Sequence, residues 1–223
     1  MIEVKGDIGP DLVKMLRGTL EAADPERLPA GAVLLIDSRG GDGLAAMEIG
    51  RMVRAARAHV FVRGRCTSAC VFILAGGVVR GSAIEQTIGI HRPRLTTFVK
   101  NIGIVDINTA SNPNAARALE TANRRAEDFL REMGMPDELF RVMMAVPSEM
   151  TKFLSAHELA ELGLLGFDDR YLAARAPAAA DRYNVSEVEY MRRTMMVHDK
   201  CVAGFATPQA FVRCYRRVLE SGE

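Results

Sequence analysis

Stretches typical of buried strands alternate with stretches typical of helices along the first half of the chain, and this alternation constrains the fold most. "AVLLID" (residues 32–37) and "HVFVRG" (residues 59–64) are apolar runs of strand length, as expected for strands buried on both faces. Between and before them, apolar residues recur at helical spacing and predict the buried faces of two helices: Leu12, Met15, Leu16 and Leu20 in the first, and Leu44, Met47 and Met52 in the second. Such alternation is typical of a parallel sheet with helical crossovers. The sequence therefore predicts an α/β fold with a mostly parallel sheet.

The second half of the chain is richer in helical patterns. Asn112 and Pro113 open a segment that runs to Met133 with apolar residues three and four apart, which predicts one long helix whose stripe packs on the domain body or on a second subunit. Further on, Ser155 and Glu158 have the spacing of a capping box. This arrangement predicts a short helix after the cap.

A Pro- and Ala-rich stretch, residues 175–182, is a candidate linker. Two helical patterns follow it, at about residues 185–201 and 207–219. We therefore expect a main domain over residues 1–175 and a small helical C-terminal appendage over residues 183–223.

Charge and hydropathy exclude some classes of function. The 29 Lys and Arg nearly balance the 28 Asp and Glu, so there is no electrostatic argument for nucleic acid or an anionic membrane as a partner. The longest apolar stretches, such as residues 71–79, fall short of the roughly 20 residues of a spanning helix. The first residues lead straight into an alternating strand pattern. A cytoplasmic protein is expected, or a periplasmic one if an export signal has been trimmed.

Four cysteines occur in two pairs. Cys66 and Cys70 are spaced like one helical turn, whereas Cys201 and Cys214 share the C-terminal region and are the better candidate for a disulfide. Buried free thiols are the simpler expectation for a chain of this size.

Three turns at predicted strand ends contain the candidate functional residues, as open α/β sheets usually place their sites there. "DSRGGDG" (residues 37–43) is rich in glycine, so backbone N–H groups can approach a ligand. It lacks the spacing of a dinucleotide fingerprint and the lysine of a phosphate-binding loop. In "CTSAC" (residues 66–70), Ser68 is either a helix cap or a nucleophile. In "GIHRP" (residues 89–93), His91 follows an apolar strand.

Each turn alone is a weak signal, but together they supply the parts of acyl transfer. Ser68 is a candidate nucleophile, His91 a candidate base, and the glycine turn a source of oxyanion donors. The N–H of Ala69, next to Ser68, is a further candidate donor.

The motifs also resemble a known family. "GDI", "LLIDSRGGDGLAAMEIGRMV", "GRCTSACVFILAGG", "GIHRP" and "FLSAHELAELGLL" occur in this order between Ile2 and Leu165. This succession resembles the Clp-type serine peptidases of the ClpP/crotonase superfamily, especially the divergent bacterial ClpP-like proteins. The resemblance implies a spiral of ββα units with a mostly parallel sheet, and subunits that assemble into homo-oligomeric rings.

The resemblance also implies roles for individual residues. Ser68 would be the nucleophile and His91 the general base, with oxyanion N–H groups from Gly41 and Ala69. A peptide or protein substrate would pair as an added strand beside the glycine turn. No metal or organic cofactor is implied, and no partner unfoldase or adaptor is identified.

Two positions depart from the family pattern. Arg39 stands where the family turn has a proline, and Thr151 stands where the acidic third member of the triad is usual. The nearest acid is Glu149, which would orient His91 if the loop is shifted. A Ser–His dyad, or a backbone carbonyl as the partner of His91, is an open alternative.

Two other functions compete with the serine peptidase. One is an inactive ClpP-like scaffold that oligomerises. The other is an acyl-CoA enzyme of the same superfamily, which would use the paired N–H groups on a thioester oxyanion but has little need of the pair Ser68 and His91.

Overall fold

A computed structural model describes residues 1–82, 86–202 and 207–223 of the chain. Within these ranges the strands are β1 (Ile2–Lys5), β2 (Val33–Ser38), β3 (His59–Thr67), β4 (Val79–Ser82), β5 (Ile88–Ile90), β6 (Thr96–Val99), β7 (Gly103–Asp106), β8 (Lys152–Phe153) and β9 (Gly166–Phe167). The α-helices there are α1 (Pro10–Glu21), α2 (Gly43–Ala55), α3 (Cys70–Gly76), α4 (Pro113–Glu132), α5 (Asp137–Ala145), α6 (Ala156–Glu161), α7 (Asp169–Arg182), α8 (Glu187–Val197) and α9 (Pro208–Ser221). A π-helical turn, His198–Val202, extends α8.

The predicted α/β fold with a mostly parallel sheet is confirmed. Strands β1, β2, β3 and β4 pair in parallel in that order, and β9 closes the edge as an antiparallel strand. The long strand β3 has two partners on one side, since its first half pairs with β4 and its end pairs with β5. Strand β8 then pairs antiparallel with β5. Strands β6 and β7 form a separate antiparallel hairpin.

Successive residues of the central strands point to opposite faces of the sheet, and each face has its own apolar core. Leu34 and Ile36 of β2 belong to the core that contains α1, α2 and α3. Leu35 and Phe61 belong to the core that contains α7, α8 and α9. Burial on both faces explains why these strands are continuously apolar in sequence.

The C-terminal helices are present as predicted, but they cover the second face of the sheet. Helix α7 continues through the predicted linker, with Pro177 inside it. The linker prediction for residues 175–182 is therefore wrong, because a buried apolar face from Tyr171 to Ala180 holds this segment helical against the sheet. The division into domains 1–175 and 183–223 stays a prediction.

Two helix faces differ in detail from their patterns. Met15 and Leu44 have helical spacing with buried residues, yet both are largely exposed. In α4 the C-terminal part of the apolar stripe, Ala126 and Leu130, is buried within the chain.

The capping box of Ser155 and Glu158 is confirmed. In the part of the chain that the structure describes, no helix is both long and apolar enough to cross a bilayer.

Candidate functional site

Ser68 lies in a sharp turn between β3 and α3. Its φ is +58°, the left-handed region that residues with a Cβ rarely occupy. The turn is held by Ser68 N–H, which donates to the Gly89 carbonyl at 3.0 Å, and by Val71 N–H, which donates to the Ser68 carbonyl at 3.1 Å. The chain therefore reverses from strand to helix at this one residue.

The structure distinguishes the two interpretations of Ser68. The N-cap of α3 is Ala69, and no side chain caps this helix. Among the hydrogen bonds of the described residues, none involves the Ser68 hydroxyl, whereas Ser155 accepts one from Glu158 N–H at the start of α6. Ser68 is half-buried. Ser68 is therefore not the cap of α3, and its hydroxyl has no hydrogen-bond partner among the described residues.

The glycine turn packs directly against Ser68. Gly40 and Gly41 have φ of +104° and +141°, a region open mainly to glycine. A Cβ on Gly40 would lie 2.8 Å from Ser68 Cβ and 3.1 Å from Ala69 N. Because no side chain fits between them, the backbone of the glycine turn and the turn at Ser68 are in contact.

Side chains on both sides hold the glycine turn in this position. The Ser38 hydroxyl donates to the Gly6 carbonyl at 2.6 Å and accepts from Gly40 N–H at 3.1 Å. The Thr67 hydroxyl donates to the Arg39 carbonyl at 3.1 Å. Hydrogen bonds from the side chains of Ser38 and Thr67 therefore hold the glycine turn in place.

Two backbone N–H groups beside Ser68 have no partner among the described residues, those of Gly41 and Ala69. Ile8 pairs with Gly41 as a parallel bridge, in which Ile8 N–H donates to Gly40 O at 2.9 Å and Asp42 N–H donates to Ile8 O at 2.8 Å. In parallel pairing the central residue directs its own N–H and C=O to the opposite side. Gly41, which is exposed, therefore directs its N–H away from Ile8.

His91 follows β5 at the same edge of the sheet as Ser68. Thr67 pairs with Gly89 in parallel register, so Ser68 and His91 leave neighbouring strands side by side. The His91 imidazole is half-exposed, and its Nδ1 lies 2.8 Å from the Arg92 carbonyl. Since a carbonyl only accepts, Nδ1 carries the hydrogen of this bond, and Nε2 has no partner among the described residues. No hydrogen bond joins His91 to Ser68 in the described structure.

Glu149, the candidate acid, is not hydrogen-bonded to Ser68 or His91 among the described residues. Glu149 is exposed, and its carboxylate accepts a hydrogen bond from the Ser148 hydroxyl at 3.2 Å. A hydrogen bond from its own backbone N–H, together with Ser148 and the charge of Arg92, lowers the pKa of Glu149. The ring N–H that would bind an orienting acid is already bound to the Arg92 carbonyl. Glu149 as a third triad member stays a prediction.

Thr151 stands at the position where the family resemblance predicts an acid. A Cβ on Gly89 would lie 2.5 Å from Thr151 Cγ2 and 3.2 Å from a ring carbon of Phe153. Thr151 and Phe153 thus flank β5 two residues before His91, and Phe153 remains 42 % exposed. At this position the Thr151 side chain places a methyl group beside Gly89, and it has no carboxylate to bind the imidazole of His91.

The cysteines differ from expectation, because all four form disulfides. Cys66 and Cys70 are bridged with their Cα atoms 5.2 Å apart, and Cys201 and Cys214 with theirs 5.7 Å apart. The expectation of buried free thiols is wrong. Sequence spacing does not predict the first bridge, because a separation of four residues is also that of one helical turn. The turn at Ser68 instead folds the end of β3 against the start of α3, within the range a disulfide spans.

Comparison with known proteins identifies the fold. No protein-family model matches the sequence, and no curated protein sequence is significantly similar to it. Among solved structures, a mutant of ClpP1 from Listeria monocytogenes matches with a TM-score of 0.52 and 17% identity, over 74% of this chain and 87% of that chain. The chain has a ClpP-like fold. The predicted family resemblance is thereby confirmed at the level of the fold.

A second solved structure is similar over the same share of the chain. It is a mutant of the 1510-N membrane-bound stomatin-specific protease, with a TM-score of 0.49 and 16% identity, over 74% of this chain and 75% of that chain. At such identities the chemistry has to be argued from the site itself. Within the described residues, no cluster of His, Cys, Asp and Glu has the arrangement of a metal site.

Proposed function

We propose that this chain is a serine peptidase that hydrolyses peptide bonds through an acyl-enzyme on Ser68. The observation that carries the proposal is the turn at Ser68. A non-glycine residue is held in a left-handed conformation, and its hydroxyl caps no helix. It lies against a glycine turn, beside two N–H groups that have no partner in the described ranges of the chain. Such a turn costs conformational energy without adding a contact for the hydroxyl, which is typical of a functional position.

The proposed reaction transfers the acyl group of the peptide first to Ser68 and then to water. Ser68 Oγ attacks the carbonyl carbon of the peptide while its proton passes to Nε2 of His91. Gly41 and Ala69 N–H donate to the oxyanion. His91 then returns the proton to the departing amine, and water repeats the sequence on the acyl-enzyme to release the acid and restore Ser68.

The Arg92 carbonyl takes the place of the usual acid in orienting His91. Its hydrogen bond with Nδ1 fixes the tautomer in which Nε2 is the base. A neutral carbonyl stabilises the imidazolium less than a carboxylate does, so we expect a slower enzyme than one with a complete triad.

The substrate is proposed to bind as an extended strand beside the glycine turn. Gly41 directs its N–H and C=O away from Ile8, and an added strand uses such groups for pairing. A peptide or protein substrate follows from this mode of binding, with no cofactor needed for the steps above.

Active-site labelling tests the proposal. A fluorophosphonate probe should label the wild-type chain at a single serine, which peptide mass spectrometry should identify as Ser68. Ser68→Ala should lose labelling and peptide hydrolysis with an unchanged melting temperature. Hydrolysis that persists in the Ser68→Ala chain would refute the assignment.

One observation favours the scaffold alternative, namely that no hydrogen bond joins Ser68 and His91 in the described structure. Catalytic hydrogen bonds are often long before substrate binds, so this absence does not by itself exclude catalysis. A folded wild-type chain that no fluorophosphonate labels would refute the peptidase, and the scaffold would follow if that chain also turned over no acyl-CoA ester.

We also propose a homo-oligomer and an oxidising compartment. The first rests on the ClpP-like fold and is tested by the native mass, which a monomer near 24.4 kDa would contradict. The second rests on the two disulfides, because such bridges persist mainly outside the cytosol. It therefore favours the periplasmic over the cytoplasmic expectation, and free thiols at all four cysteines in protein taken from cells would contradict it.

A further inference from the structure

The Cys66–Cys70 disulfide encloses the candidate nucleophile. Cys66 is the second-to-last residue of β3, Cys70 is the first residue of α3, and Ser68 is the central residue of the five that the bridge closes. Both cysteines are fully buried. The bridge thus ties together the two elements whose relative direction decides where Ser68 points.

Ser68 needs such a restraint because its conformation is unfavourable. Its φ of +58° is a region that a serine leaves when nothing holds it. On the strand side, Ser68 N–H is held by Gly89 and the Thr67 hydroxyl by Arg39. On the helix side, the bonds run from Val71 and Phe72 back to residues 68 and 69 and belong to the helix itself. The disulfide is the covalent link between the two sides.

The surroundings of Ser68 make a small change in this turn consequential. A Cβ on Gly40 would be 2.8 Å from Ser68 Cβ, so the serine has no room on that side. Opening the bridge leaves two thiols to be accommodated in a site without solvent exposure. A dithiol reductant would supply the two electrons and two protons, becoming a disulfide itself. Two separate thiols need more room than the bridge, so we expect reduction to shift the turn and with it the Ser68 side chain.

We infer that the Cys66–Cys70 disulfide is a positioning element for Ser68, which holds the residue in its left-handed turn so that the site reacts only while the bridge is closed. The part that concerns reactivity rests on the proposed peptidase function. The part that concerns the Ser68 conformation does not.

The second disulfide provides a matched control. Cys201–Cys214 joins the π-helical turn to α9, on the face of the sheet covered by the C-terminal helices. Its sequence separation is 13 residues, against 4 for Cys66–Cys70. Because the longer loop restrains the unfolded chain more, Cys201→Ala/Cys214→Ala should lose more stability than Cys66→Ala/Cys70→Ala.

The experiment compares both double variants of the full chain with the wild type. We expect the fluorophosphonate labelling rate to fall about tenfold or more in Cys66→Ala/Cys70→Ala, and kcat for a peptide to fall with KM nearly unchanged. In Cys201→Ala/Cys214→Ala both should stay within about twofold of the wild type. Equal rates in all three chains, or an equal fall in both variants, would overturn the inference.

A second measurement is independent of activity. The φ of Ser68, from crystal structures or from NMR scalar couplings, should be positive in the wild type and should change in Cys66→Ala/Cys70→Ala. If the wild type is never labelled, the peptidase proposal fails, and an unchanged Ser68 φ in the variant would separately overturn the positioning role. If that variant does not fold, wild-type chain reduced by a dithiol, with its thiols counted by alkylation, replaces it in both measurements.

Discussion

Two histidines in this chain lie in opposite kinds of polar surroundings. His59 is fully buried between the sheet and the C-terminal helices, and both ring nitrogens are bound. His91 is half-exposed at the edge of the sheet, with one ring nitrogen bound to a carbonyl and the other without a partner among the described residues. These partners indicate a structural role for His59 and make His91 the candidate base.

The surroundings of His59 form a closed set of hydrogen bonds. The Tyr215 hydroxyl donates to Nδ1 at 2.6 Å, and Nε2–H donates to the Tyr171 hydroxyl at 3.3 Å. Tyr190 donates to the same hydroxyl at 3.1 Å, and Tyr171 donates to the Pro29 carbonyl at 2.6 Å. Every donor in this cluster has one acceptor, which is how buried polar groups are stabilised. At the candidate site, in contrast, the N–H groups of Gly41 and Ala69 have no acceptor among the described residues. The oxyanion of an acyl-transfer reaction needs such donors.

Among the substitutions that test the difference between the two histidines, His91→Gln should have the largest effect on activity. Removing the base should lower kcat/KM for a peptide on the order of ten-thousandfold, since general base catalysis contributes up to about that factor. The measurement is steady-state hydrolysis, with labelling of Ser68 as a second readout. His157→Gln is the matched control, because the side chain of His157 is 83 % exposed on α6. A His91→Gln chain whose activity stays close to that of the wild type would remove His91 from the mechanism.

His59 should make the fold sensitive to acid. Burial lowers the pKa of His59 to about 3, whereas an unfolded histidine titrates near 6.5. Unfolding therefore takes up a proton between these values, and the free energy of unfolding falls as the pH drops. From about pH 6.5 to about pH 3.5 this residue should lower the free energy of unfolding by several kcal/mol, on the order of 1.4 kcal/mol per pH unit within that range.

Denaturant unfolding of the wild type and His59→Phe at several pH values measures this loss. Carboxylates titrate in both chains, so the difference between their pH slopes isolates His59. Parallel slopes would show that His59 is protonated as easily in the folded chain as in the unfolded one.

Tyr215→Phe should break the closed cluster without touching the site. The change leaves His59 Nδ1 as a buried acceptor with no donor, at a cost of about 1 to 3 kcal/mol. Labelling of Ser68 should be unchanged. Tyr183→Phe is the control, because Tyr183 stacks on Tyr190 with ring centroids 6.4 Å apart but lies outside the hydrogen bonds to His59. Equal stability of the two variants would contradict the role given to the Tyr215 hydroxyl.

Glu149→Gln should have the smallest effect, less than about twofold on kcat/KM. The physical reason is that His91 Nδ1 is already bound to the Arg92 carbonyl, and Glu149 to Ser148. Glu161→Gln on α6 controls for a change of surface charge. A loss of about tenfold or more in Glu149→Gln alone would show that Glu149 moves to orient His91 and completes a triad.

The sequence predicted most of the fold because strand burial and helix faces depend on local patterns. Periodicity located β2, β3 and α4, and the capping signal at Ser155 located α6. Periodicity did not separate Met15 and Leu44 from buried neighbours, since three-dimensional packing decides how wide a helix face is covered.

The sequence predicted which residues lie at the candidate site, but not the disulfide and the hydrogen bond that hold them. Strand ends placed Ser68 and His91 together, yet the disulfide around Ser68 and the carbonyl partner of His91 depend on a left-handed turn and on one backbone oxygen. Neither leaves a pattern in sequence spacing. The His59 cluster was missed for a similar reason, because its tyrosines come from helices far along the chain.

Strand β3 begins at His59 and ends at Thr67, so the closed cluster and the turn at Ser68 lie at its two ends. A shift of this strand by one residue would turn every side chain to the opposite face. His59 would then leave its tyrosines, and Cys66 would no longer face Cys70. The contacts at both ends of β3 therefore form together in one strand register only. A molecule that has both the His59 cluster and the Cys66–Cys70 disulfide has β3 in that register.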